Sequence, residues 1–179
     1  MMRRFRSWLT RLARAEEGVS AVEFALIAPL MILFYFGLAE LSQGYMAQRR
    51  VNHAAAAIAD LVAQQQAVNN QDMQDVFLVG GLTMAPFPTD TLKLRISSVV
   101  ADSKGVTKVA WSDGSHIAAR TKDEVVKVPA GLVSAGASVI MAEVEYDYQS
   151  TTRQVMPALT KLKHTYYLAP RLSQTVTRK

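Results

Sequence analysis

Cysteine is missing from all 179 residues. Disulfide bridges, thiolate nucleophiles and cysteine-based metal sites are excluded at once. Histidine is scarce: His53, His116 and His164 stand far apart and share no metal-ligand spacing. There is no glycine-rich phosphate loop, no internal repeat and no low-complexity tract. Acidic residues are the minority, 15 against 20 Lys and Arg, for a formal net charge of +5. Most of that excess sits at one end, where Arg3, Arg4, Arg6, Arg11 and Arg14 face only Glu16 and Glu17. Such a distribution is a topology signal and not a nucleic-acid footprint, so no nucleic-acid partner is expected. Nothing in the residue pattern calls for a cofactor or a metal.

Charge is also nearly absent from Val19 to Ala39, where the exceptions to apolar character are Ser20, Glu23, Pro29 and Gly37. A helix of that run measures roughly 30 Å, the hydrocarbon thickness of a bilayer. Glu23 is the anomaly, because an ionisable group in a span costs about 2.5 kcal/mol or more. Ahead of the run, Phe5, Trp8, Leu9 and Leu12 fall at helical spacing among the arginines, a pattern suited to an anionic membrane surface. The positive-inside rule keeps this end cytoplasmic and sends the remainder across. A secretory signal peptide is the competing reading. Its apolar core is usually about 7–15 residues, and Ala39-Glu40-Leu41 is a poor small-x-small cleavage site.

The stretch Glu17-Gly18-Val19-Ser20-Ala21-Val22-Glu23-Phe24-Ala25-Leu26 resembles the start of the TadE family, pilin-like proteins of the tight-adherence (Tad) pilus. More broadly it resembles the processing site of a type IV prepilin: a basic leader ending in glycine, then a long apolar helix with glutamate as its fifth residue. The resemblance is strong over about the first third of the chain and rests on general layout beyond it. It implies cleavage after Gly18 by a prepilin peptidase, with Gly18, Val19, Glu23 and Phe24 as the processing residues. It implies a minor pilin or pseudopilin used in adherence and assembled through its helix, where Glu23 and Pro29 stand out. The implied partners are other pilin-like subunits, Tad pilus assembly components and the inner membrane, with the C-terminal domain periplasmic. Tyr166-Tyr167-Leu168-Ala169-Pro170-Arg171 also resembles, more weakly, the Pro-Arg ending common in TadE-like proteins.

Cutting the Gly18–Val19 bond would create an α-amino group, with a reference pKa of about 8 and so largely cationic at neutral pH. The helix dipole opposes a cation there. Glu23, four residues on, lies on the same face and can compensate it, either in the same chain or in a neighbouring subunit. Pro29 removes one backbone donor and crowds the carbonyl of Ala25, so a kink is expected there, which lipid-embedded helices tolerate.

Beyond Glu40 the helix is expected to leave the membrane and become one-sided. Val51, Ala54, Ala55, Ile58, Leu61 and Val62 recur at intervals of three and four. Gln64-Gln65-Gln66 reads as its polar tail and Asn69-Asn70 as its stop. A short second helix comes next, capped by Asn70 or Asp72, buried through Met73, Val76 and Phe77, and ended by Gly80-Gly81. Pro86 and Pro88 mark the linker into a β region. Its strands read as Leu92–Ala101, Val106–Ser112 across an Asp102–Gly105 turn, Val139–Tyr148 and Lys163–Leu168, with a helical turn near Thr151–Lys161. The fold class is α+β: a long N-terminal helix on a small antiparallel sheet. The divisions are a leader at 1–18, a span at 19–41, a helical continuation at 42–68 and an α+β domain at 69–179.

Two rivals remain. One is an uncleaved single-pass protein with a periplasmic binding domain. The other is a membrane-tethered hydrolase using Ser115 and His116, although sequence adjacency is not triad geometry. Glu143, Glu145 and Asp147 share one strand face and invite acid–base or cation-binding readings, but a solvated strand face explains them more simply.

Overall fold

The computed structural model describes residues 16–129, 131–150 and 160–179. Helix α1, Glu16–Ala63, runs unbroken for 48 residues, through Pro29. Two regimes share it. Through Met46 the large apolar side chains are exposed, whereas Ala47, Val51, Ala54, Ala55, Ile58, Ala59, Val62 and Ala63 are buried completely. Those positions form the stripe anticipated from the sequence, with alanines bringing the helix backbone close to its partner surface.

That surface is a four-stranded antiparallel sheet of β2 (Leu92–Ala101), β3 (Thr107–Ser115), β4 (Ser138–Tyr148) and β5 (Thr160–Leu168), in the order β3-β2-β4-β5. Leu92, Leu94 and Ile96 of β2 join Ile140, Ala142, Val144, Tyr146 and Tyr148 of β4 under the helix. Their strict alternation puts every one of them on the same face. Helix α2, Asn70–Leu82, adds Met73 and Val76 to this core.

Helix α1 stops five residues before the expected boundary at 68, and the reason lies at the other end of the chain. Strand β1 (Ala67–Val68) pairs in parallel with β6 (Thr177–Arg178). The Arg171 N–H donates to the terminal carbonyl of Ala63 at 2.8 Å, and the Arg171 side chain pairs with Asp60. A cation and an N–H donor thus satisfy the negative end of the helix. Trp111 Nε1 donates to the carbonyl of Val176 at 2.7 Å, and Arg178 grips Asp113 at 2.8 and 3.2 Å.

Several boundaries differ from the sequence reading. The cap of α2 is Asn69, whose side chain accepts from Gln71 and Asp72 N–H, while Asp72 reaches back to the Asn69 N–H. This capping box needs an acceptor three residues after the cap, which Asp72 provides. Gly80 and Gly81 do not end α2 but lie within it. Gly80 is packed so closely that a Cβ would stand 2.9 Å from Ile58 Cγ2 and from Leu94 Cδ1. Strand β3 extends three residues further than expected, because Asp113, Gly114 and Ser115 pair with Ile96, Arg95 and Leu94. Strand β5 starts at Thr160, earlier than Lys163, in register with Tyr148. The helical turn expected near Thr151–Lys161 falls largely on residues 151–159, outside those described.

The outer face of β4 is not simply solvated either. Val99, Val109, Val126, Val139 and Met141 form a second buried cluster, flanked by Val128, Val133 and Tyr167. The segment after β3 folds back to cover it, tied by Val126 N–H to Thr107 O at 3.1 Å and Asp123 N–H to Val109 O at 2.8 Å.

A Cβ at Gly114 would lie 2.2 Å from the carbonyl oxygen of Ile117, whereas one at Gly81 would meet nothing within 4 Å. Gly114→Ala should therefore destabilise the domain by about 1–3 kcal/mol. Gly81→Ala, inside a helix, should be neutral or gain up to about 1 kcal/mol. Thermal unfolding of the two variants, followed by circular dichroism, checks the contrast.

Candidate functional site: the exposed apolar helix

The exposed half of α1 is the most distinctive surface among the described residues. Phe24 is 72% exposed, Leu30 65% and Phe34 62%, with Val19, Val22, Leu26, Ile27, Met31, Ile32 and Leu33 open to a similar degree. A soluble domain does not display a contiguous apolar surface of that extent. Among the described residues this is the one helix long and apolar enough to cross a membrane.

Gly18, Val19, Glu23 and Phe24 all lie on this helix near its start. Gly18 has open space where a side chain would be, so packing within the chain gives no reason for glycine there. Glu23 is exposed, one turn beyond Val19. Pro29 sits inside the helix, where it withholds one ladder donor. These residues share a face or a neighbourhood along one element, and all are exposed among the described residues.

Where the exposed half meets the domain, an acidic residue that sequence reading passed over is almost fully buried. Glu40 is 3% exposed, and its carboxylate accepts a hydrogen bond from the Ser150 hydroxyl just after β4. Burial and the neighbouring Glu40 charge together push the Tyr148 phenol above its ordinary range. The bond spans 110 positions of sequence, so no local spacing announces it.

The acidic row of β4 is a structural ladder. Glu143 receives Arg95 Nε at 2.7 Å and Arg120 through Nε at 3.0 Å and Nη2 at 2.8 Å. Arg120 also holds Glu124 at 2.5 Å, and Lys163 holds Glu145 at 2.7 Å. Arg120 lies in the covering segment, so this network fastens that segment to the sheet. The simpler sequence reading, a solvated face, is therefore corrected at Glu143: two guanidinium groups cover it.

The hydrolase reading finds no support in the geometry. His116 Nδ1 meets the carbonyl oxygen of Leu92 at 3.1 Å, a backbone tie at a left-handed residue with φ of 57°. Among the described residues no group of three or more His, Asp or Glu is placed to hold a metal ion.

Burial raises the pKa of Glu143, but the hydrogen bonds and charges of Arg95 and Arg120 outweigh it and leave it below the ordinary 4.5. A carboxylate held below its unfolded value stabilises the fold above that value, and the contribution fades as pH falls through the lowered one. Stability should therefore drop on acidification below about pH 4.5. Glu143→Gln should cost about 1–3 kcal/mol at neutral pH and flatten that acid limb, as read from unfolding midpoints across pH.

Residues 18–60 match the family model of TadE-like protein, a match that covers most of α1 and none of the sheet. No curated protein and no solved structure matches the chain.

Proposed function

We propose that this chain, TadE-like over residues 18–60, is a Tad pilus-associated, pilin-like subunit that does no catalysis and works through its helix. The observation that carries the reading is the division of α1. Through Met46 its large apolar side chains are exposed among the described residues, while the other half is committed to a sheet. In the membrane the free half is matched to lipid. In a filament or assembly complex it can exchange lipid for like helices without exposing apolar surface to water.

On this reading the chain is a minor pilin or pseudopilin of the inner membrane, N-terminus cytoplasmic and domain periplasmic. Residues 19–41 form the span, the helix beyond it stands outside, and the domain offers surfaces to other pilin-like subunits and assembly components. A prepilin peptidase cuts after Gly18. The open space around Gly18 supports this, since glycine inside a helix costs about 1 kcal/mol relative to alanine and nothing in the fold repays it. A protease that reads the residue before the cut would account for it. The freed Val19 ammonium then lies one turn from Glu23, so two costly charges in a greasy environment offset each other.

Intact mass measurement on membrane-extracted protein from a peptidase-competent cell should find a chain beginning at Val19. An intact leader there would leave an uncleaved single-pass protein. Gly18→Leu should retain the leader. Glu23→Ala should insert as well as the parent, since it removes a charge from the span, yet lower piliation at least tenfold by filament counts. Normal piliation would remove Glu23 from assembly.

A further inference from the structure

Just above the exposed apolar run, α1 carries a cationic face. Met46, Arg49, Arg50 and His53 recur at helical spacing and, with Pro86 and Phe87, line a cleft of about 320 Å³. Arg49 and Arg50 are exposed, and neither has an ion-pair partner among the described residues. Exposed Tyr45 and Met46 mark the last large apolar side chains of the run, and an interfacial tyrosine is typical where a span meets the headgroups.

The heights agree. The headgroup layer adds about 5–8 Å to each side of the hydrocarbon core. Arg49 and Arg50 lie eight and nine residues beyond the end of the span at 41, about 12–13.5 Å along the axis, so their heads meet that layer by reaching back toward it. Helical side chains lean toward the N-terminus, here back toward the bilayer, and arginine stems let the charged head seek the phosphate level. The cleft is too small for a whole lipid but of a size for a headgroup, with Met46 and Phe87 placed for the apolar end of a glycerol ester. A larger neighbouring cavity, about 770 Å³, has Asp90 and Asp147 in its wall and so the wrong charge for a phosphate.

We propose that the cleft formed by Met46, Arg49, Arg50 and His53 with Pro86 and Phe87 seats the headgroup of an anionic phospholipid in the leaflet from which α1 emerges. The proposal rests on α1 crossing the bilayer. A lipid held there would fix how deep the helix sits and which way the domain faces over the membrane. Because the site is electrostatic, salt weakens it.

The test uses the full chain in a non-ionic detergent. Native mass spectrometry with added phosphatidylglycerol should show retained lipid, in preference to phosphatidylcholine. The double variant R49Q/R50Q should bind phosphatidylglycerol about 25-fold more weakly, with phosphatidylcholine retention unchanged, since each arginine near an anionic surface contributes about one factor of five. Both substitutions are at exposed positions, and an unchanged circular dichroism spectrum shows the fold intact. Flotation with pure phosphatidylcholine vesicles reads insertion separately. If the parent chain fails to float, the span and the headgroup site fall together. If it floats but R49Q/R50Q retains phosphatidylglycerol as the parent does, the headgroup site alone is overturned. Displacement of the lipid by millimolar glycerol 3-phosphate would mean a soluble phosphate ligand and would overturn it too. So would intact lipid retention combined with loss of co-purifying pilus proteins, which would mark the cleft as a protein contact.

Discussion

The contact between the small-residue stripe of α1 and the inner face of the sheet sets the terms for everything else in this chain. Alanines at 47, 54, 55, 59 and 63 let the helix lie close against β4 and β5, with Val51, Ile58 and Val62 buried in the same core. Each large apolar side chain so buried contributes about 1.5–3 kcal/mol. That contact occupies only the C-terminal part of a 48-residue helix, so the remainder is carried as an extension that its own domain cannot cover. A surface that must be covered by something else, lipid or like helices, is the physical root of the functional reading.

Charge is handled differently along the chain. On the sheet, carboxylates are answered across strands or by the covering segment, as at Glu143 with Arg95 and Arg120. At the far end of α1, Arg171 supplies both a backbone donor and a cation, giving the Pro-Arg stretch a structural task in closing the helix. At the near end Glu40 is buried against Ser150, which pins the level at which the domain begins along the helix. Glu23 has none of these arrangements among the described residues.

Much of this was legible because it is periodic. The α1 stripe and the alternation of Leu92, Leu94 and Ile96 announce a helix on a sheet with no further information. The likeness to TadE-like protein over residues 18–60 is legible for the same reason: its elements lie at fixed, short spacing. What escaped is non-local. Val126, Val128 and Val133 lie in a stretch interrupted by proline and glycine, and only their convergence on Met141 makes a second cluster. Asp113, Gly114 and Ser115 have turn composition, but pairing with β2 overrides it. Glu40 and Ser150, and Arg171 with Ala63, are matched across more than a hundred positions, a separation that no window along the sequence spans.

Pro29 has a mechanical consequence. It interrupts the hydrogen-bond ladder once, and beyond it α1 runs as a continuous rod into the sheet. From Pro29 to Ala63 that rod is about 50 Å long, so a reorientation of about 10° at the proline would swing its far end by about 9 Å. A small adjustment of direction at Pro29 is thereby geared up into a displacement of the sheet domain comparable to a whole helix diameter.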